Sequence, residues 1–183
     1  MKTKYILIVF AIVAVVQLAI PAQMIVNKEQ ILTSGKTYKF NTEPVDPNDP
    51  FRGKYIILRP KHNTYKLKDM GGSPTEMYAT FNVDKDRMAR VSTLTFETPS
   101  RSDHLKVQVH QAYNMQDSTS VFIDFPFDRY YMNEHKALKA ELMTRSLDTL
   151  HMARLYAEVY ILEGNASVES VKIDGKPIED IIE

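Results

Sequence analysis

The chain has 183 residues, with 23 basic and 23 acidic side chains, 44% hydrophobic residues and no cysteine. This length suits one domain plus an appendage, and the missing cysteines exclude a disulfide framework and thiolate metal sites. Setting aside Lys2 and Lys4 leaves 21 basic against 23 acidic residues, a net of about −2, which excludes the basic excess of a nucleic-acid footprint.

Lys2 and Lys4 lead into Tyr5–Val26, an apolar run interrupted only by Gln17, Pro21 and Gln23. A bilayer requires roughly 20 such residues, and the flanking lysines should stay on the cytoplasmic side. The pattern therefore predicts a cytoplasmic end at 1–4, a transmembrane anchor at 5–26, a stalk at 27–35 and an extracytoplasmic domain at 36–183. Within the stalk, Ile31 and Leu32 are apolar, and Gly35 is a helix stop. The competing expectation is secretion after signal cleavage, since Ile6–Val16 has a signal-like length and Ala22 could precede the cut. Ile20, which is not small, would then stand at −3, and apolar character resumes at Met24–Val26. The preferred reading is a single-pass protein of the cytoplasmic (inner) membrane with its C-terminal domain periplasmic.

Beyond Gly35 the period changes to that of strands. Thr37–Thr42 alternates around Tyr38 and Phe40. There follows Pro44-Val45-Asp46-Pro47-Asn48-Asp49-Pro50-Phe51-Arg52-Gly53-Lys54-Tyr55-Ile56-Ile57-Leu58-Arg59-Pro60. Its first half is a rigid extended run in which prolines fix φ and Asp46, Asn48 and Asp49 can hold turns. Its second half, Tyr55–Leu58, reads as a buried strand. Gly53 marks the junction, where a bulge or close backbone approach would need it, so the loop would deliver Arg52 and Tyr55 to a fixed place.

This run resembles the GDYXXLXY family, in which a Pro-rich acidic lead-in precedes an Arg-Gly-Asp-Tyr strand. Val45–Gly53 matches the lead-in, and Tyr55 and Leu58 fall on the motif's Tyr and Leu. Lys54 stands where the motif has Asp and Pro60 where it has the last Tyr, so no role passes to a carboxylate at 54 or a phenol at 60. The resemblance implies a single N-terminal membrane helix, one exported β-rich domain and an integral membrane partner. It implies no reaction.

Further strands are expected at Tyr65–Lys68, Thr75–Asp84, Met88–Glu97, Leu105–Val109 and Val121–Ile123, with turns at Gly71–Pro74 and Asp84–Asp86. A second marked stretch, Asp124-Phe125-Pro126-Phe127-Asp128-Arg129-Tyr130-Tyr131-Met132-Asn133-Glu134, leads into the main helix of the domain near 133–147, with Asn133 as N-cap. Leu150–Leu162 and Ser167–Ile173 read as strands, joined at Gly164-Asn165. The second ends at the Asp174–Pro177 turn, and the tail Ile178–Glu183 should close against the sheet. The fold class expected is mainly β, or α+β: an N-terminal transmembrane helix, then one antiparallel β-rich domain forming a sandwich or partly open barrel.

The candidate site combines the two marked stretches. Asp46, Asp49, Arg52, Gly53 and Tyr55 come from the first, and Asp124, Asp128, Arg129, Tyr130 and Glu134 from the second. Arginine gives planar bidentate recognition and tyrosine rigid contact area, which suits binding. The plainer expectation is that each arginine pairs with a local aspartate. The five histidines form no His-x-His or His-Glu-x-x-His pair. Asp46–Asp49 does not continue as a calcium loop, because Phe51 and Ile57 stand at the Gly and Glu positions. No Gly-x-Ser-x-Gly elbow or phosphate loop occurs. No metal, cofactor or catalytic residue is assigned. The expected function is a membrane-anchored binding or accessory domain working with an integral membrane partner, its ligand unknown. The alternatives are an envelope hydrolase using carboxylates of the two loops and a binder of a small ligand or envelope polymer.

Overall fold

A computed structural model describes residues 2–45, 55–67, 75–111, 120–133, 136, 139–140 and 155–182. Helix α1, Lys2–Ser34, is continuous through Pro21. Its 33 residues span about 50 Å at 1.5 Å each. It is long and apolar enough either to cross a membrane or to serve as a signal sequence. Among the described residues, its apolar side chains between Tyr5 and Val26 are largely exposed.

The remaining elements are strands β1 (Lys36–Val45), β2 (Tyr55–Pro60), β3 (Thr64–Lys66), β4 (Thr75–Val83), β5 (Ala89–Thr95), β6 (Leu105–Gln111), β7 (Ser120–Asp124), β8 (Arg129–Tyr131), β9 (Leu155–Leu162), β10 (Asn165–Ile173) and β11 (Lys176–Pro177), followed by the short helix α2 (Ile178–Ile181). They form two antiparallel sheets, ordered β11-β10-β9-β1-β2-β8 and β3-β7-β6-β4-β5. The outcome is the expected β-rich sandwich behind an N-terminal apolar helix. The main helix expected near 133–147 lies mostly outside the described residues, where Lys136, Lys139 and Ala140 are helical.

The core lies between the sheets. In β6, Leu105, Val107 and Val109 point inward and Lys106 and Gln108 outward, as a half-buried strand of period two requires. Tyr38, Phe40, Val159 and Ile161 meet Met77, Phe81, Leu105 and Ile123 from the facing sheet. An aromatic stack holds the centre: Phe40 lies 5.3 Å from Phe81 and 4.8 Å from Phe127, ring centre to ring centre. Phe125-Pro126-Phe127 is the crossover from β7 in one sheet to β8 in the other. Its two phenylalanines, 5.3 Å apart, are therefore buried between the layers.

Turn chemistry fixes the hairpins. Asp174 (φ 48°) and Gly175 (φ 91°) join β10 to β11, the two-residue turn with both φ positive that Asp-Gly favours. The Asp84 carboxylate accepts from the backbone N–H of Asp86 and of Met88, each at 2.9 Å. The tail closes the core through buried Ile178 and Ile182.

Between α1 and β1 stands a single residue, Gly35. Its N–H donates to the Ile31 carbonyl at 2.9 Å. Ile31 and Leu32 are half-buried, where the last turns of α1 pack on β9 and β10. Gly35 is required for space and not for a left-handed φ: a Cβ there would meet the Ile31 carbonyl oxygen at 2.3 Å and that of Ile161 at 3.2 Å.

Candidate functional site

The two marked stretches become neighbouring strands. β2 pairs with the edge strand β8 in the register Tyr55↔Tyr131, Ile56↔Tyr130 and Ile57↔Arg129, and the Leu58 N–H donates to the Asp128 carbonyl at 2.7 Å. Tyr55, Asp128, Arg129 and Tyr130 are thus brought together along the backbone. Asp46, Asp49, Arg52, Gly53 and Glu134 lie outside the described residues. Asp124 departs from the expected constellation. It ends β7 in the other sheet, where its carboxylate sits 2.9 Å from His110 Nε2.

This site occupies the end of the six-stranded sheet far from α1. β1 runs ten residues from Lys36 to Val45, and Val45 pairs with Ile57. At about 3.3 Å per residue, Tyr55 therefore lies roughly 30 Å along the strands from the helix junction.

Within the site, Arg129 Nε approaches the Asp128 carboxylate at 3.5 Å, the local pairing anticipated for it. Both groups are partly exposed, so the pair contributes little to stability. Tyr130 is more constrained. Its phenol donates to Glu179 Oε1 at 3.0 Å, and burial, then the Glu179 hydrogen bond and charge, push its pKa up to about 12. It is therefore a neutral donor at ordinary pH. Lys136 Nζ donates to the Glu179 carbonyl at 2.8 Å, tying the helical segment after β8 to the C-terminal α2. Tyr131, Met132, Asn133, Lys136 and Glu179 line an open cavity of about 570 Å³. A phenol, an amide, an ammonium and a carboxylate around one concavity can bind a polar group and fix its orientation.

The family model described as GDYXXLXY protein matches residues 17–171. The chain belongs to the GDYXXLXY family. No curated protein and no solved structure matches it. In this GDYXXLXY protein the motif strand is β2, and its sheet neighbours are β1 and β8. Leu58, the motif leucine, is buried in the core at 2% exposure. Part of the motif is therefore packing.

Sequence reasoning missed Glu179. The signal was present: apolar Ile178, Ile181 and Ile182 recur at helical spacing, which turns Glu179 away from the core. It also missed a charged cluster at the α1 end. Asp103 is buried, at 7% exposure, and accepts from Lys36 Nζ at 2.8 Å, from the Tyr38 phenol at 2.7 Å and from both Arg101 donors, Nε at 2.8 Å and the terminal nitrogen at 2.7 Å. The Arg101 guanidinium first, then Lys36 and Tyr38, hold its carboxyl well below the usual carboxylate range despite burial. Beside it, His104 is buried rather than exposed as a lone strand histidine would be. Its ring packs edge-on to Tyr78 at 5.5 Å, with Nδ1 at the Arg101 carbonyl. The tip of the β9–β10 hairpin is stitched to the same segment by three backbone bonds: Glu163 N–H to Ser102 O, Gly164 N–H to His104 O and Lys106 N–H to Gly164 O. The α1 end is thus cross-linked by these contacts, while the β2–β8 end carries an open cavity.

A second acidic group, Glu158, sits on the outer face of β9. Burial would raise its pKa, but Lys172 at 2.6 Å and Lys39 at 3.4 Å hold its carboxyl below the ordinary value. The alkyl stems of such lysines cover the sheet while their charge is satisfied.

Proposed function

We propose that the chain is a membrane-anchored extracytoplasmic binding or accessory domain that works with an integral membrane partner. α1 is the single-pass anchor, Lys2 and Lys4 keep its start cytoplasmic, and the sandwich lies outside the membrane. The observation that carries this reading is the joint at Gly35. An apolar helix of spanning length enters the central strand of the sheet through one residue, and its last turns are packed on β9 and β10. A permanent anchor uses this packing to set the orientation of the sandwich. A cut after Ala22 would leave the packed residues 31–35 in place, and what speaks against that cut is Ile20 at −3 and the apolar character that resumes at Met24–Val26. The β2–β8 end, roughly 30 Å along the strands from that joint, is then the surface offered to the outside.

Carbonate extraction and external protease treatment of cells making the full-length chain test the reading. An uncleaved chain retained in the carbonate-washed membranes, with its sandwich accessible only from outside, is expected. A truncated chain in the soluble fraction would refute it.

A second reading, a small polar ligand bound at the far end, is supported by the cavity of about 570 Å³ and its phenol, amide, ammonium and carboxylate. There, Lys136→Ala should abolish a ligand-dependent rise in melting temperature.

A further inference from the structure

We propose that α1 docks through its Gln17–Pro21 face against a transmembrane helix of the integral membrane partner, and that this partner helix lies beneath the overhanging sandwich. The inference rests on the anchored reading above and names the contact it leaves open.

Gln17 stands within about 2 Å of the middle of Tyr5–Val26, at 1.5 Å per residue. Its carboxamide is one of two polar groups at that depth. The other is its own backbone carbonyl. The N–H that would satisfy that carbonyl belongs to residue 21, which is Pro21, inside the helix. Proline supplies no N–H, and its ring crowds the carbonyl four residues earlier. The anchor therefore carries, on one face and at a depth without water, a carboxamide and a carbonyl that lacks its usual i+4 donor. Gln23 differs, because it lies off this face and near the end of the run, within reach of the interface.

The direction of this face follows from helical periodicity. Gln17 and Gly35 are separated by five turns at about 3.6 residues per turn, so they share an azimuth, and Ile31 and Leu32 flank it on either side. Gly35, Ile31 and Leu32 are the half-buried positions against the sandwich. The Gln17 face is thus on the side over which the sandwich hangs.

That geometry selects the occupant. A second copy docked by twofold symmetry through the same face would have to send its own stalk and sandwich through the space that the first sandwich fills. A helix belonging to a membrane-embedded protein, ending near the bilayer surface, meets no such obstacle. The matching chemistry is a hydroxyl or amide side chain at the midplane, donating to the Gln17 carbonyl and bonding its carboxamide. Interhelical contacts in membranes are of this kind. Ala14, next on the stripe, permits close approach. The opposite face, centred on Ile8, Ala19 and Val26, is apolar except for Gln23 at its margin near the end of the run, and suits lipid.

The test uses the full-length chain in its own membranes, with a photoreactive benzophenone side chain at position 24 on the Gln17 face or at position 19 on the opposite face. An adduct to a carbonate-resistant membrane protein is expected from position 24, about tenfold above position 19. Gln17→Leu should cut that yield by about tenfold while the chain stays in the membrane. Pro21→Ala, which restores a donor to the carbonyl, should also lower it. Equal yields from both faces, an adduct of twice the chain's own mass, or no protein adduct while the chain resists carbonate would each overturn the docking and leave the anchor standing. A chain released by carbonate would overturn both.

Discussion

The Tyr38 phenol donates to the Asp103 carboxylate at 2.7 Å, on the same oxygen that meets Lys36 and Arg101. This joins β1, immediately after the α1–β1 joint, to the loop before β6. Lys36 and Arg101 are half-exposed, so their share is screened, whereas the Tyr38 bond is buried. Asp103→Asn should cost about 2 kcal/mol and Tyr38→Phe about 1 kcal/mol, read from urea midpoints of the full chain in detergent. The Asp103 pKa is lowered from its ordinary 3.8, so its stabilisation is complete above that value and drains away as pH falls below it. An Asp103→Asn midpoint equal to that of the unaltered chain at neutral pH would rule this out.

Tyr130 predicts an alkaline limit. Its pKa rises from 10.0 to about 12 on folding, so its contribution is whole below pH 10 and is lost as pH climbs through about 12. Absorbance titration should show a late tyrosinate component that shrinks in Tyr130→Phe. Tyr38, also raised by burial and then by Asp103, will overlap it, so the double comparison with Tyr38→Phe is needed. A Tyr130→Phe titration curve superimposable on that of the unaltered chain would contradict the Glu179 hydrogen bond.

Gly35→Val should loosen the joint. With the Ile31 carbonyl 2.3 Å from the added Cβ, helix and strand must shift apart, at a cost of about 2 kcal/mol. Proteolysis between residues 31 and 40 should accelerate in the variant. Unchanged cleavage would mean that the joint tolerates a side chain.

Thr42 carries a buried hydroxyl with no hydrogen-bond partner among the described residues, at 1% exposure. Replacing it with an apolar group of the same shape removes a desolvation cost. Thr42→Val should leave the melting temperature equal or higher. A loss of more than about 1 kcal/mol would show that the hydroxyl is satisfied in solution.

Local pattern carried much of this fold. The apolar run of α1, the alternation Leu105-Val107-Val109 and the Asp174-Gly175 turn are each decided by neighbours in sequence, and each appears where the residues imply. What depends on distant partners was not legible. Asp103 sits in a polar stretch, and its partners Lys36 and Tyr38 are more than 60 residues away. Phe125 and Phe127 belong to a stretch read as a site loop, yet they are core because the chain changes sheets there. The adjacency of β2 and β8 follows from sheet order, which no single-strand pattern encodes. Asp124, assigned to the site by proximity in sequence, was carried away by the same crossover.

The most direct measurement is affinity purification of the full-length chain from its own membranes in mild detergent, with co-purifying proteins identified by mass spectrometry. An anchored accessory domain should bring down one integral membrane protein in stoichiometric amount. Recovery of the chain alone from the membrane fraction, with no such protein at any detergent strength that keeps membranes soluble, would contradict it.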